Sequence, residues 1–234
     1  MKKIFLALIL ISLPCFGYQV FQHNEPFAEK ILKNQEQLLF VIDFSQSMQE
    51  KQNGESKTEM VKDVLTNFLS EIPPAIPVGL RVYGHKCGFT ALQACKASQL
   101  VVPISENSIN LISQKLNQLS PKGMTPITYS LKQAVASDFG SYKGTKHIVL
   151  FTDGGENCDE SPCKYAIELS KLRQDFVIDV IAFNIGDKDD LEQLECTALV
   201  TKGEFFKANN KEDLNNILEH ISEKQKQVQA KILR

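Results

Sequence analysis

Leu38-Leu39-Phe40-Val41-Ile42-Asp43-Phe44-Ser45-Gln46-Ser47 is the stretch that decides how this chain is read. Five consecutive apolar residues closed by an aspartate fit a strand buried on both faces, as in a parallel sheet covered by helices. His147 to Thr152 is a second such run, and Asp153-Gly154-Gly155-Glu156 follows it. Outward from these two, the periods alternate. Met60, Val61, Val64, Leu65, Phe68 and Leu69 fall at helical spacing until Pro73-Pro74 stops them. Val78 to Tyr83 and Leu100 to Ile104 read as strands, and Ile109, Ile112, Leu116 and Leu119 as a helix. Pro126 suits the first position of a helix carrying Ile127, Leu131 and Val135, and Ser161-Pro162 opens another through Leu172. Phe176 to Phe183 is a strand, Asp189 to Thr201 a helix, Glu204 to Lys207 a short strand, and a last helix starts near Lys211.

Strands and helices alternating at this spacing predict right-handed crossovers, hence an α/β fold with a doubly wound, mostly parallel central sheet flanked by helices. Only the Leu100–Ile104 strand follows its predecessor with no room for a helix, which predicts one short antiparallel edge strand. No internal repeat or linker interrupts residues 38–222, so they are read as one domain, with 223–234 as a C-terminal helical tail. Leu214, Leu218, Ile221, Val228 and Ile232 keep a near-heptad spacing broken by Gln225. So few heptads favour a final helix packed on the sheet over a coiled coil.

The first seventeen residues stand apart: Lys2-Lys3, an apolar run from Ile4 to Leu13, then Pro14-Cys15-Phe16-Gly17. This is the layout of a secretory signal peptide with a cut before Tyr18. The run is well short of the roughly 20 residues of a spanning helix, and Pro14 fits lipid attachment at Cys15 poorly. The mature chain is therefore expected to be exported, periplasmic or secreted, with residues 18–37 as a polar lead-in and no stable membrane span. Removing residues 1–17 takes two of the 26 basic residues and none of the 28 acidic ones, so the formal charge moves from −2 to −4. That balance gives no reason to expect nucleic-acid binding, and 43% hydrophobic residues suffice for a sizeable core.

Of the cysteines, Cys87, Cys95, Cys158, Cys163 and Cys196 remain after the leader. In an oxidising compartment they are disulfide candidates, and neither close pair has C-x-x-C spacing. The seven residues between Cys87 and Cys95 permit a bond closing the end of the second strand, and Cys158–Cys163 is the next expected pair. Cys196 is then the free thiol, with its pairing to Cys158 or Cys163 as the alternative.

The chemistry-bearing residues sit where open α/β sheets bind ligands, at the carboxyl ends of strands near the reversal of strand order. Asp43, Ser45 and Ser47 follow the first strand, Asp153 follows the fourth, and Gly123-Met124-Thr125-Pro126 leads into the helix between them. Three hydroxyls and two carboxylates form an all-oxygen set, which suits a hard cation such as Mg²⁺. Turn and cap chemistry alone would not call for all five at one place. Asp43-x-Ser45-x-Ser47, Thr125 and Asp153 resemble the metal-ion-dependent adhesion site of the von Willebrand factor type A family. The resemblance extends through residues 38–222 and is nearest to bacterial exported members, through Arg81-Val82-Tyr83-Gly84-His85, Thr152-Asp153-Gly154-Gly155-Glu156 and Gly203-Glu204-Phe205-Phe206. It implies a Rossmann-like fold and a Mg²⁺ (or Mn²⁺) ion touched by the residues matching Ser45, Ser47 and Thr125. Those matching Asp43 and Asp153 act through waters or hydrogen bonds. It also implies a protein partner that supplies an Asp or Glu carboxylate to the ion.

Two other functions compete with this one. A metal-dependent hydrolase of the aspartyl-phosphate type also carries Asp after a first buried strand, but needs a second acid where this chain has Ser45. Neither G-x-S-x-G nor H-E-x-x-H occurs, and Gly79 to Gly84 has P-loop spacing with His85 in place of the lysine. No enzyme is therefore expected. A role as partner subunit of an ATPase-driven assembly machine in the cytoplasm conflicts with the leader. His85 reads as a structural histidine of the Cys87 loop, His23, His147 and His220 form no ligand cluster, and Lys202 and Lys207 read as solvated surface.

Overall fold

The computed structural model describes residues 36–232; the expected signal peptide at 1–17 and most of the expected lead-in at 18–37 lie outside the described residues. Among these, six strands form one sheet in the order β5-β4-β1-β6-β7-β8. They are β1 (Gln37–Asp43), β4 (Val78–Tyr83), β5 (Ser98–Ser105), β6 (Lys146–Thr152), β7 (Phe176–Phe183) and β8 (Phe205–Ala208). All neighbouring pairs are parallel except β4–β5, which is antiparallel. A hairpin of β2 (Lys51–Gln52) and β3 (Glu55–Ser56) stands off the sheet. The helices are α1 (Lys57–Glu71), α2 (Ala91–Ala94), α3 (Ile109–Gln118), α4 (Ile127–Gln133), α5 (Pro162–Leu172), α6 (Lys188–Val200) and α7 (Lys211–Ile232). α4 continues into a wider turn over Ala134–Asp138.

Both faces of the sheet are covered, which is why β1 and β6 read as unbroken apolar runs. Leu38, Phe40, Ile42, Val149 and Phe151 pack on one side with Val61, Leu65, Phe68, Leu214 and Leu218 of α1 and α7. Leu39, Val41, Ile148, Leu150, Ile178 and Val180 pack on the other with Ile127, Leu131, Leu169, Leu194 and Ala198 of α4, α5 and α6. α1 is started by a capping box in which Ser56 and Glu59 satisfy each other's backbone N–H groups. α5 has Ser161 as cap with Pro162 behind it, as the sequence predicts. α7 runs unbroken past residue 222, and Gln225, which interrupts its apolar stripe, is buried.

The buried amide of Gln225 has a partner. It lies 2.8 Å from His147 Nδ1, while His147 Nε2 meets Asp179 at 2.7 Å and Nδ1 also faces Glu36 at 3.1 Å. Burial alone would lower this imidazole's pKa, but hydrogen bonds to Asp179 and Glu36 and their charges outweigh it and raise it to about 9. A base whose folded pKa is raised adds stability that is complete below its unfolded value near 6.5 and is lost as pH rises through the folded one. The thermal midpoint should therefore fall between pH 6.5 and 9 more steeply in the wild type than in His147→Gln. Equal slopes in calorimetric scans would show that the ring is not charged in the folded state.

The cysteine pairing differs from the sequence expectation. The bonds are Cys95–Cys158 and Cys163–Cys196, and Cys87 is an exposed free thiol. Cys95 closes α2 above the end of β4 and Cys158 lies in the loop after β6. These strands flank β1, so the two loops meet over the carboxyl edge of the sheet. Cys158 and Cys163 do not pair with each other: Asp159 (φ 58°) turns the chain between them, and Cys163 on α5 pairs with Cys196 on the neighbouring α6. The alternative partner for Cys196 is the one realised. Loop length limits which bonds can form, but the sheet order decides which cysteines are near each other.

Candidate functional site at the carboxyl edge

β1 lies between β4 and β6, so the chain leaves it in one direction and returns on the other side. At that switch point the crossovers diverge and leave a crevice above the strand ends. Asp43 is the last residue of β1 and is fully buried. One carboxylate oxygen accepts the Ser45 backbone N–H at 2.6 Å and the other accepts the Thr152 hydroxyl at 2.9 Å. The Ser45 and Ser47 hydroxyls are 3.0 Å apart, and Ser47 Oγ donates to Asp153 Oδ1 at 2.7 Å. A continuous hydrogen-bonded chain thus runs from the end of β1, through the Ser45 backbone N–H and the two serine hydroxyls, to the end of β6. Of the five residues singled out from sequence, Asp43, Ser45, Ser47 and Asp153 are joined in it directly.

Thr125 is brought to the same rim by backbone pairing. Ser45 bridges Gly123, Gln46 N–H donates to Gly123 O at 3.0 Å, and Lys122 N–H donates to Phe44 O at 3.1 Å. Gly84 makes this approach feasible: at φ +69°, a Cβ there would lie 2.5 Å from Ser45 N. Thr125 itself is buried, its N–H donating to Asn157 Oδ1 at 2.7 Å while Asn157 N–H returns to Thr125 O. Glu156 holds the other end of the loop, accepting the N–H groups of Thr128 at 2.7 Å and Cys158 at 3.0 Å. The Cys95–Cys158 bond is one residue from Asn157, so it straps the β4–β5 and β6–α5 loops together beside Thr125.

Charge in the cluster is unevenly balanced. Burial first, and the charge of Asp153 second, push the Asp43 carboxyl up to about 7 against the pull of its Ser45 and Thr152 bonds. Asp153 Oδ2 accepts from Lys57 Nζ at 2.8 Å, and the same ammonium reaches Glu50 at 2.7 Å. Lys57, Thr152 and Asn157 are contributors that the sequence reading missed. Lys57 left a trace: it opens α1, where the helix dipole disfavours a cation, so a lysine there signals a local anion. His85 is buried, with Nε2 3.4 Å from Gln99 of β5 rather than bonded within the Cys87 loop. Cys87 hangs beside it, its thiol donating to Lys122 O at 3.4 Å. Among the described residues no group of three or more His, Cys, Asp or Glu side chains is placed to hold a metal ion, so a cation here would rest largely on neutral hydroxyls.

The sequence profile of the von Willebrand factor type A domain matches residues 37–220. YwmC of Bacillus subtilis (strain 168), described as uncharacterized, is 31% identical over 223 residues, which is 93% of this chain and 96% of its own. Among solved structures, proximal thread matrix protein 1 from the mussel byssus, with zinc in its MIDAS (metal-ion-dependent adhesion site) motif, is similar. It has a TM-score of 0.61 and 18% identity, covering 85% of this chain and 46% of that one. The pilus adhesin SpaC from Lactobacillus rhamnosus GG in its open conformation gives 0.64 at 13% identity, over 82% of this chain and 30% of that one. This chain spans less than half of either structure, and at these identities the likeness is one of fold.

Proposed function

Because the chain belongs to the von Willebrand factor type A domain family, we propose that it is an exported, metal-dependent protein-binding module for adhesion or assembly, not an enzyme. The observation that carries this reading is the hydrogen-bonded chain from Asp43 through Ser45 and Ser47 to Asp153 at the switch point of the sheet. Ser45, Ser47 and Thr125 would hold Mg²⁺ (or Mn²⁺), with Asp43 and Asp153 behind bridging waters. The donor set fits. It is all oxygen, it carries few charges, and among the described residues the Asp43 carboxylate is buried with hydrogen bonds but no cationic partner, so a divalent ion would relieve its cost. When bound, the ion supplies an open coordination position for an anionic oxygen. Asp43 fixes the turn that presents Ser45, Asp153 orients Ser47, and Asn157 fixes the segment that bears Thr125. An Asp or Glu from a protein partner would complete the set.

Several features support the wider reading. The mussel byssus protein carries zinc in its MIDAS motif and SpaC is a pilus adhesin, which favours a divalent ion and a protein partner. Ser45 stands where aspartyl-phosphate chemistry needs an acid. Two disulfides suit an oxidising compartment and agree with cleavage near Tyr18, and no helix among the described residues is long and apolar enough to cross a membrane. Residues 38–222 would form the working domain, with 18–37 and 223–234 as flanking segments.

Calorimetric titration tests the reading. Ser47→Ala and Thr125→Ala should each weaken Mg²⁺ binding by about tenfold or more, with thermal midpoints near wild type. Pull-downs from envelope extract should lose the partner in EDTA. Equal metal affinity in the wild type and Ser47→Ala, or capture indifferent to EDTA, would reduce the five residues to turn chemistry.

A further inference from the structure

The feature of this site that the five residues do not account for is Lys57. Its ammonium is almost wholly buried, with 5% of the side chain exposed, and it sits between Asp153, which is fully buried, and Glu50, which is 66% exposed. Nothing about helix formation asks for it. The α1 terminus is already satisfied by the Ser56–Glu59 capping box, and a cation in the first turn opposes the helix dipole. The chain thus places a lysine where it is locally disfavoured, with its charge aimed at the acid that orients Ser47.

The bonds of Asp153 are divided between two roles. Oδ1 takes the Ser47 hydroxyl and Oδ2 takes Lys57, so its charge is matched by a fixed internal cation. Asp43 has no such match: among the described residues its carboxylate is bonded to the Ser45 N–H and the Thr152 hydroxyl. With Asp43 ionised, as a cation above it would require, two buried carboxylates and one ammonium leave a single negative charge under the position proposed for the metal. Glu50 touches the same ammonium at 2.7 Å but is 66% exposed, so water screens its charge and it offsets Lys57 only in part. A divalent ion would therefore remain short by one negative charge.

We infer that Lys57 is the charge-setting residue of this site: by neutralising Asp153 it keeps metal binding incomplete until a partner carboxylate arrives. The inference rests on the metal reading above and adds a division of labour to it. Cation affinity at oxygen sites is tuned by the number of charged ligands, so a lysine bonded to one of two acids lowers affinity for the bare ion. By linkage it raises the dependence of metal and carboxylate on each other. The serines, the threonine and the acids provide the geometry, and Lys57 makes the site require a partner.

The test is calorimetric titration of Mn²⁺ alone, then with acetate as the carboxylate probe, into the mature chain and three variants. Lys57→Met keeps the buried stem and removes the charge. It should bind Mn²⁺ about tenfold more tightly than wild type, from one fewer positive charge close to a divalent ion, and acetate should then enhance binding less. Lys57→Arg keeps the charge and should behave as wild type. Glu50→Gln alters an exposed partner with little risk to folding; it frees the lysine's charge and should weaken Mn²⁺ binding a few-fold. A folded Lys57→Met with unchanged or weaker Mn²⁺ affinity would mean that Lys57 only braces Asp153, and the inference fails. If Lys57→Met does not fold, an unchanged affinity in Glu50→Gln overturns it instead. Absence of Mn²⁺ binding in the wild type and every variant would instead overturn the metal reading itself, a separate outcome.

Discussion

Replacing Cys95 and Cys158 together by serine is expected to lower stability by up to about 4 kcal/mol and to weaken metal binding, whereas the Cys163/Cys196 double replacement should do only the first. The bonds close loops with sequence separations of 63 and 33 residues. Loop-closure entropy depends only logarithmically on length, so both remove a similar freedom from the unfolded chain, about 4 kcal/mol at most for each. Their places differ. Cys95–Cys158 joins the β4–β5 and β6–α5 loops one residue from Asn157, which holds the Thr125 backbone in both directions. Cys163–Cys196 joins two helices on one face of the sheet, neither of which bears a residue of the oxygen cluster. Urea unfolding and Mg²⁺ titration on both double variants would separate the effects. Equal metal affinities in the two would mean that the strap contributes to stability and not to the site.

Arg81→Met should cost about 3–5 kcal/mol, the ordinary penalty for leaving a buried charge without its partner. Arg81 sits in the middle of β4, and its guanidinium grips Asp138 through Nε at 2.6 Å and Nη2 at 2.7 Å, with Nη1 on Ser98 at 2.9 Å. Both charged side chains are almost fully buried, 5% and 1% exposed. Asp138 ends the wide turn that continues α4, so the pair fastens to the sheet the helix that Thr125 leads into. Arg81→Met/Asp138→Leu, which removes both charges, should recover much of the loss, since a buried pair contributes far less than the cost of orphaning either member. A loss below about 1 kcal/mol for Arg81→Met would mean that water reaches Asp138 and screens it.

Most of the strands and helices were legible in the chain because each carries its own period. β4 and β7 span the residues that the sequence marks, and α5 begins at the marked cap. The antiparallel edge followed from simple reach: fourteen positions between Tyr83 and Ser98 leave little room for a crossover helix. What was not legible locally was short or polar. The β2–β3 hairpin is two residues a side, and α2 is four residues with none buried, so neither has a face long enough to show a pattern. The wide turn after α4 reads in sequence as ordinary helix, because its extra residue leaves the apolar spacing through Val135 intact.

For the candidate site, the residue types were in the sequence and the company they keep was not. Asp43, Ser45, Ser47 and Asp153 follow strands, and strand ends at a switch point converge by topology, so their meeting follows from the order of elements. Lys57 and Asn157 could not be assigned that way, since one belongs to a helix start and the other to a loop, and only the packed chain brings the first to Asp153 and the second to Thr125. The cysteines make the same point. The sequence by itself determined the α/β architecture, the buried strands and the oxygen-bearing turns, because apolar periodicity and strand-end chemistry act over a few residues. The tertiary structure alone decided that Cys95 meets Cys158, that Cys163 meets Cys196, and that a buried lysine balances one of two acids. Those contacts join segments separated by 33 to 96 residues, and no local pattern encodes which distant segments the sheet order will set side by side.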